Sequence, residues 1–446
     1  MINREKFYIY TFGCQMNKHD SERLAGLLAS QGYEEASSPR EAQIHIFNTC
    51  SVRQHAEERF FGVLSRLKSR KSREGIVVAV GGCTAQKEKE KILERVPWVD
   101  VVFGTFDLAK LPALITKAKE GHSVVSTSNE FETMPTDLPL KRKREKQAWL
   151  PISVGCNNFC TYCIVPYVRG SEISRPFKEI VEEAECLVRE GVVEITLLGQ
   201  NVNSYGRDLY GQPRFASLLT ALNKIKGIER IRFTTSHPKD LNCEVIEAVK
   251  EAEKVCEHIH LPLQAGSTKV LQAMERGYTK EDYLKLVQEI REAIPGVSIT
   301  TDIMVGFPGE TEEDFNDTLD VVEKAQFDQA FTFIFSPREG TPAAQLQDNT
   351  SYEQKLVRFK RLVELQRDIS LSSNQKLLGQ VVEVFVEGLS KKDSAFLTGR
   401  TRNNKVVNFR GHPSLIHQFV KVFIIKAHPF HLTGELANLN HAAATS

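Results

Sequence analysis

No apolar run in the 446 residues approaches the ~20 that a membrane-crossing helix needs, which excludes an integral helical membrane protein. The first residues, Met1-Ile2-Asn3-Arg4-Glu5-Lys6, lead straight into a strand-like segment and lack the apolar core of a secretory signal, so a cytoplasmic protein without membrane partners is expected. The chain also lacks an excess of either charge. Its net +1 says nothing by itself about nucleic acid. Disordered character is missing too, because 41% apolar and 26% charged residues describe a folded soluble chain, and the length exceeds one ordinary core. The turn Gly306-Phe307-Pro308-Gly309-Glu310 lacks the lysine of a phosphate-binding P-loop, and Thr311-Glu312-Glu313-Asp314 after it reads as a helix-start capping box.

Against these absences stand nine cysteines, an odd number that fits a reducing compartment. Three of them, in Gly155-Cys156-Asn157-Asn158-Phe159-Cys160-Thr161-Tyr162-Cys163, follow an apolar strand expected over 151–154. A zinc site normally needs four ligands in two tight pairs, and no fourth Cys or His lies nearby. Cys-x3-Cys-x2-Cys instead suits three irons of a [4Fe–4S] cube whose fourth iron stays open for a chelating amino acid. The loop, with an aromatic residue just before its last cysteine, resembles the radical S-adenosylmethionine (SAM) signature, in which Cys156, Cys160 and Cys163 are the catalytic cluster ligands.

Cys14, Cys50 and Cys83 lie 36 and 33 residues apart, each after a strand-like run (6–11, 43–47 and 76–80) and before a helical pattern. Repeated strand–Cys–helix units imply a parallel sheet with covered faces, whose strand ends open on one edge. The three cysteines should converge there as metal ligands, with Gly13, Gly81 and Gly82 freeing the backbone for tight turns. Cys186, Cys243 and Cys256 stand alone and read as packing residues.

From 148 to 373 strands and helices alternate in six units, with strands expected at 151–154, 194–198, 230–235, 258–263, 298–305 and 329–335. This pattern suits a partial (β/α) barrel, whose sites form at the C-terminal strand ends. Gly199-Gln200-Asn201, Ser236-His237, Gln264 and Asp302 stand at or near those ends and are candidates for SAM binding, although turns and caps use the same residue types. His258 and His260 share one strand face and read as a satisfied core pair. Between the two α/β regions, 131–147 is a linker with the basic block Lys141-Arg142-Lys143-Arg144-Glu145-Lys146, either a solvated connector or a phosphate contact. Past Asn374 come short strands without helices (379–386, 395–400, 405–409 and 419–425), as in a small antiparallel barrel of the kind that binds oligonucleotides. Between Gly379 and Asn440 eight basic side chains, Lys391, Lys392, Arg400, Arg402, Lys405, Arg410, Lys421 and Lys426, face four acidic ones, a net +4 that favours RNA.

Thr11-Phe12-Gly13-Cys14-Gln15-Met16-Asn17, Asn48-Thr49-Cys50-Ser51-Val52-Arg53 and Gly81-Gly82-Cys83 resemble the N-terminal domain of the methylthiotransferases, and the C-terminal segment resembles a TRAM domain. The resemblance implies an α/β fold of three parts: a methylthiotransferase domain over 1–130, a radical-SAM barrel over 148–373 and a TRAM-like RNA-binding domain over 374–438, with a frayed tail over 439–446. It implies two [4Fe–4S] clusters and SAM as cofactors, with sulfur passing through the cluster of Cys14, Cys50 and Cys83 and a second SAM giving the methyl group. An electron donor such as flavodoxin or ferredoxin, a sulfur source and a tRNA anticodon loop are the implied partners. Val168-Arg169-Gly170-Ser171-Glu172-Ile173-Ser174-Arg175-Pro176 and Leu198-Gly199-Gln200-Asn201-Val202-Asn203-Ser204-Tyr205-Gly206 resemble the members acting on isopentenyladenosine at tRNA position 37. Members acting on threonylcarbamoyl-adenosine or on an aspartate of ribosomal protein S12 are the neighbouring readings, and a non-catalytic iron–sulfur RNA binder is the distant one. Arg169, Glu172 and Arg175, just after the radical loop, are candidates for meeting the target base; ordinary ion pairing is their other reading.

Overall fold

The computed structural model describes residues 4–51, 54–131, 134–143 and 145–438. The expected frayed tail 439–446, and Arg144 of the basic block, lie outside the described residues.

The N-terminal region is a six-stranded parallel sheet of β1 (Lys6–Thr11), β2 (Glu34–Glu35), β3 (Ile44–Thr49), β4 (Val77–Gly82), β5 (Val101–Phe103) and β6 (Val124–Ser126), ordered β2-β1-β3-β4-β5-β6. β3 and β4 are buried along their whole length, as strands covered on both faces must be. Alternate residues feed two cores. Ile44, Ile46, Val77 and Ala79 pack with Leu24, Leu28 and Ile115 on one side, whereas Phe47, Val78 and Val80 pack with Phe60 and Leu64 on the other. Register pairs Thr11 with Asn48 and Thr49 with Gly82, so β1, β3 and β4 end side by side on one edge.

The middle region contains β7 (Gln147–Pro151), β8 (Ser153–Val154), β9 (Ile173–Ser174), β10 (Glu194–Leu198), β11 (Arg230–Phe233), β12 (His258–His260), β13 (Ser298–Val305) and β14 (Gln329–Ile334). Parallel ladders β7-β10-β11 and β12-β13-β14 are joined by a bridge between Ile231 and Val255, giving a six-stranded partial barrel. Its first strand is 147–151, not the expected 151–154. Ala148 and Leu150 alternate inward, but the adjoining charged block masks this period in the sequence, and 153–154 pairs instead with β9 across the cysteine loop.

The C-terminal module is a closed barrel of β15 (Val381–Leu389), β16 (Phe396–Arg400), β17 (Val406–Arg410), β18 (Phe419–Ala427) and β19 (Leu432–Leu436). Sequence pattern offers no sign of β19, whose centre is Gly434, where a Cβ would run into Val422 and the Phe423 carbonyl. Closure uses one parallel pairing, β17 with β19, so the barrel is not purely antiparallel. It seals the N-terminal ends of the middle strands. Arg230 and Arg232 donate to the carbonyls of Arg400, Thr401 and Arg402, and Lys405 reaches Asp328 at 2.7 Å. The cysteine loop lies at the opposite end.

Two expectations about lone cysteines fail. Cys186 and Cys243 are exposed, and only Cys256 is a buried packing residue. His258 and His260 do form the expected satisfied pair, both within 3.0 Å of Thr300 Oγ1.

Candidate functional site

The loop 155–163 is pinned from several sides before any ligand is considered. Gly155 has φ +82°, and a Cβ there would collide with the Ser171 carbonyl, so only glycine lets the loop turn back on itself. Its N–H donates to Gln200 Oε1 at 2.5 Å, Cys156 N–H donates to the Gly170 carbonyl at 3.1 Å, and Thr161 N–H donates to the Met274 carbonyl at 3.1 Å. Burial pushes the Cys156 thiol up to about 11 and the Cys163 thiol up to about 12, and the neighbouring cysteines add to both. Arg276, buried beneath, donates to Cys160 Sγ at 3.5 Å. Three adjacent thiols, with burial opposing ionisation at Cys156 and Cys163 and a guanidinium beside Cys160, fit a positive metal cluster that would deprotonate them on binding.

Cys14, Cys50 and Cys83 do converge at the sheet edge. Cys14 caps the helix Gln15–Ser30, Cys50 follows β3, and Cys83 begins the helix Cys83–Glu88. A Cβ on Gly13 would lie 2.9 Å from Cys50 Sγ, so this close approach depends on glycine. Burial drives the Cys83 thiol up to about 12, with Cys50 and Cys14 raising it further and Arg169 opposing. Among the described residues no group of three or more Cys, His, Asp or Glu could hold a single metal ion. The corners of an iron–sulfur cube stand further apart than the ligands of one ion, so that finding concerns single ions only.

The two trios meet. Cys83 packs against Ile164 and Val168, and Ile164 directly follows Cys163. Arg169 ends the short helix Val165–Arg169 and pairs with Asp20 at 2.7 Å, both side chains 6% exposed. Arg169, a candidate for meeting the target base, is thus buried between the two regions and already paired with a carboxylate. Arg175 is buried as well, spent on the Pro151 carbonyl and Glu183. Asp20 was missed from the sequence. Its signal was the spacing Cys14, Asn17, Asp20, which puts all three on one helix face, where Asn17 Nδ2 also donates to the Thr49 carbonyl at 2.9 Å.

At the barrel mouth the structure gathers most of the expected polar residues and separates their roles. Gln200 holds the loop through Gly155, and Gly199 is needed because a Cβ would sit 2.8 Å from Ser153 Oγ. Asn201 donates to Asp240 at 2.7 Å. Asn201 Oδ1, Asn203 Nδ2, Ser236 Oγ, His237 Nε2 and Glu172 Oε1 are buried without a hydrogen-bond partner, a concentration that points to a polar ligand. Burial, with Arg276 and Lys239 adding, drives His237 down to about 2, so its imidazole is neutral at any working pH. Burial raises the Glu172 carboxyl, with Asp208 and Asp240 adding to the effect. Glu172 lines a cavity of about 160 Å³ beside the loop with Asn157, Asn158, Ser204 and Lys239. Thr235 (φ +70°) and Gln264 (φ +71°) hold left-handed backbone just past β11 and β12, strain of a kind that clusters at ligand sites. Asp302 lies 3.6 Å from His260 Nε2.

The basic residues behave differently from their net charge. Lys391 and Lys392 are exposed between β15 and β16, and Arg400 is half-occupied by Glu387 at 3.4 Å. Arg402 is engaged within the protein, gripping both Glu257 oxygens and the carbonyls of Glu253 and Val255. With Lys405 also neutralised by Asp328, the module presents less charge than its sequence suggests. In the linker, Lys141 and Lys143 pair with Glu35 at 3.1 and 2.9 Å, and Arg142 pairs with Glu190, which favours the connector reading.

Residues 150–322 match the radical SAM superfamily, 6–104 match the uncharacterized protein family UPF0004, and 375–437 match the TRAM domain. The chain is 51% identical over 436 residues to the tRNA-2-methylthio-N(6)-dimethylallyladenosine synthase of Carboxydothermus hydrogenoformans, covering 97% of this chain and 99% of that one. The synthase of the same name from Acetivibrio thermocellus is 51% identical over 97% of this chain and 91% of its own. Among solved structures, the radical SAM methyltransferase TsrM from Kitasatospora setae superposes with a TM-score of 0.55 at 15% identity, over 77% of this chain and 75% of that one. The cobalamin-dependent radical SAM enzyme OxsB follows with a TM-score of 0.53 at 13% identity, over 82% and 56%. At such identity the structural likeness speaks for the fold alone.

Proposed function

The chain belongs to the tRNA-2-methylthio-N(6)-dimethylallyladenosine synthase family of radical SAM enzymes, and we propose that its two thiol trios hold two separate [4Fe–4S] clusters. It is a tRNA methylthiotransferase that uses SAM and iron–sulfur chemistry. In our reading the modified base is isopentenyladenosine at position 37, next to the anticodon. Identity over nearly the full length carries this choice, because it spans all three regions and both trios.

Cys156, Cys160 and Cys163 would hold the cluster that works with SAM, and Cys14, Cys50 and Cys83 the one that handles sulfur. When bound, the first supplies radical activation of an aromatic C–H that acid–base chemistry cannot reach near neutral pH. The remaining work falls to side chains. Gly155 and Gln200 fix the loop, and Arg276 offsets the negative charge that thiolates bring. The unpartnered atoms of Asn201, Asn203, Ser236 and His237 would bind polar parts of SAM at the strand ends, and Gln264 and Asp302 would complete that rim. Glu172 faces the adjoining cavity with a free oxygen, where it can hydrogen-bond an incoming base. An electron donor such as flavodoxin or ferredoxin and an external sulfur source complete the reaction in the cytoplasm.

Mass spectrometry of tRNA nucleosides tests the substrate. Cells lacking this protein should accumulate isopentenyladenosine and lose its methylthio form. Loss of the methylthio mark on threonylcarbamoyl-adenosine would overturn the substrate while leaving the reaction class intact.

The closed barrel at the far end reaches tRNA through Lys391, Lys392 and Arg400. Deleting the module is a poor test, because Arg230 and Arg232 would be left without the carbonyls that satisfy them. The pair Lys391→Ala and Lys392→Ala leaves that junction intact. It should weaken tRNA binding and reduce the slope of log K against log salt by about one for each phosphate no longer neutralised. An unchanged slope in a filter-binding titration would remove these lysines from the interface.

A further inference from the structure

Two large aromatic side chains beside the cysteine loop are left out of any core. Phe159 is 46% exposed and Tyr167 48% exposed, although each lies within four residues of a cluster cysteine. Their ring centroids are 6.3 Å apart at 84°, an edge-to-face contact that leaves ring surface open to solvent. Phe159 is held at φ +46°, in the left-handed region a bulky residue rarely adopts, so the loop accepts backbone strain while the ring points out. Tyr167 sits on a short helix fixed from behind, since Val168 packs on Cys83 and the Thr105 hydroxyl donates to its carbonyl.

Tyr167 also walls a crevice of about 260 Å³ whose other side carries Lys87, Lys89 and Lys91. Lys87 and Lys91 are matched by Glu88 and Glu339, the latter pair with both side chains more than half exposed at 3.3 Å. Lys89 leaves an excess positive charge. The crevice lies between the segment after the radical loop and the segment after Cys83, for Ile164 follows Cys163, Lys87 sits on the helix that Cys83 begins, and Lys89 and Lys91 follow that helix. A base approaching the radical loop beside Phe159 would bring its chain neighbours across this rim.

We propose that Phe159 and Tyr167 are a stacking platform for an unstacked nucleotide adjoining the target adenosine of the tRNA loop, with the lysine-lined crevice taking its phosphate. This rests on the tRNA assignment above. Aromatic faces accept any base and lysines take phosphate as point charges, so the platform orients the loop without reading its sequence.

The test uses the reconstituted full chain and an anticodon stem-loop carrying 2-aminopurine beside the isopentenyladenosine. Binding to the wild-type protein should quench the fluorescence. Phe159→Leu and Tyr167→Leu should each bind about ten-fold more weakly, and the quenching should disappear. Tyr167→Phe, which keeps the ring, should restore both, and equal iron content in all four proteins shows that the loop is intact. Full quenching and affinity in both leucine variants would overturn the platform. So would unchanged RNA binding with slowed reduction by a flavodoxin, which would make this an electron-donor surface. If the wild-type chain fails to bind the stem-loop, the tRNA assignment falls and the platform with it.

Discussion

Replacing Cys156, Cys160 and Cys163 by alanine should abolish SAM cleavage and cut the iron of the reconstituted protein from about eight atoms per chain to about four. Replacing Cys14, Cys50 and Cys83 should also leave about four, but with SAM cleavage retained and thiolation abolished. The asymmetry follows from how each trio is held. Backbone bonds to Gly170 and Met274 and the side chain of Gln200 position the radical loop, and all belong to the middle region. The other trio is set by β1, β3 and β4 and by the glycine that lets Cys14 approach Cys50. Alanine is the right replacement at the buried sites, because it removes the sulfur ligand without burying a new hydroxyl. Iron and sulfide assays read the result directly. An N-terminal triple variant that kept all its iron would end the two-cluster reading, whatever its activity.

Much of this was legible because the informative residues sit where backbone periodicity changes. β4 announces itself as a continuous apolar run and β3 as a short one interrupted by His45, and each ends just before its cysteine, so the trio's convergence follows from strand parallelism. The radical loop was legible from spacing. What stayed hidden was long-range satisfaction of charge. Arg169, Arg175 and Arg402 are chemically suited to RNA, and nothing local distinguishes an arginine facing a phosphate from one buried against a distant carboxylate. Asp20 lies 149 positions from Arg169, and Glu257 lies 145 from Arg402. Strand β19 was hidden for a different reason. Gly434 breaks its apolar alternation, and only the closing barrel supplies the neighbour that makes the glycine necessary.

The largest effect expected of one substitution is at the Arg169–Asp20 pair. The guanidinium comes from the helix that follows the radical loop and the carboxylate from the helix that Cys14 caps, so the pair ties the two thiol trios together. Arg169→Met leaves Asp20 buried and unpaired, which should cost about 3–5 kcal/mol, read as a lower urea midpoint. Removing both charges, Arg169→Met with Asp20→Leu, should return most of that stability, because two apolar side chains can fill the space of a buried pair. Arg169 has a second duty. Its charge bears on Cys83, whose burial otherwise opposes the thiolate that a cluster requires. The double variant should therefore recover its fold but still show reduced iron at the N-terminal trio, with the radical cluster full. If stability and iron return together, Arg169 is only a clamp between regions; if iron stays low in a stable protein, the arginine is part of what lets three buried thiols accept a cluster.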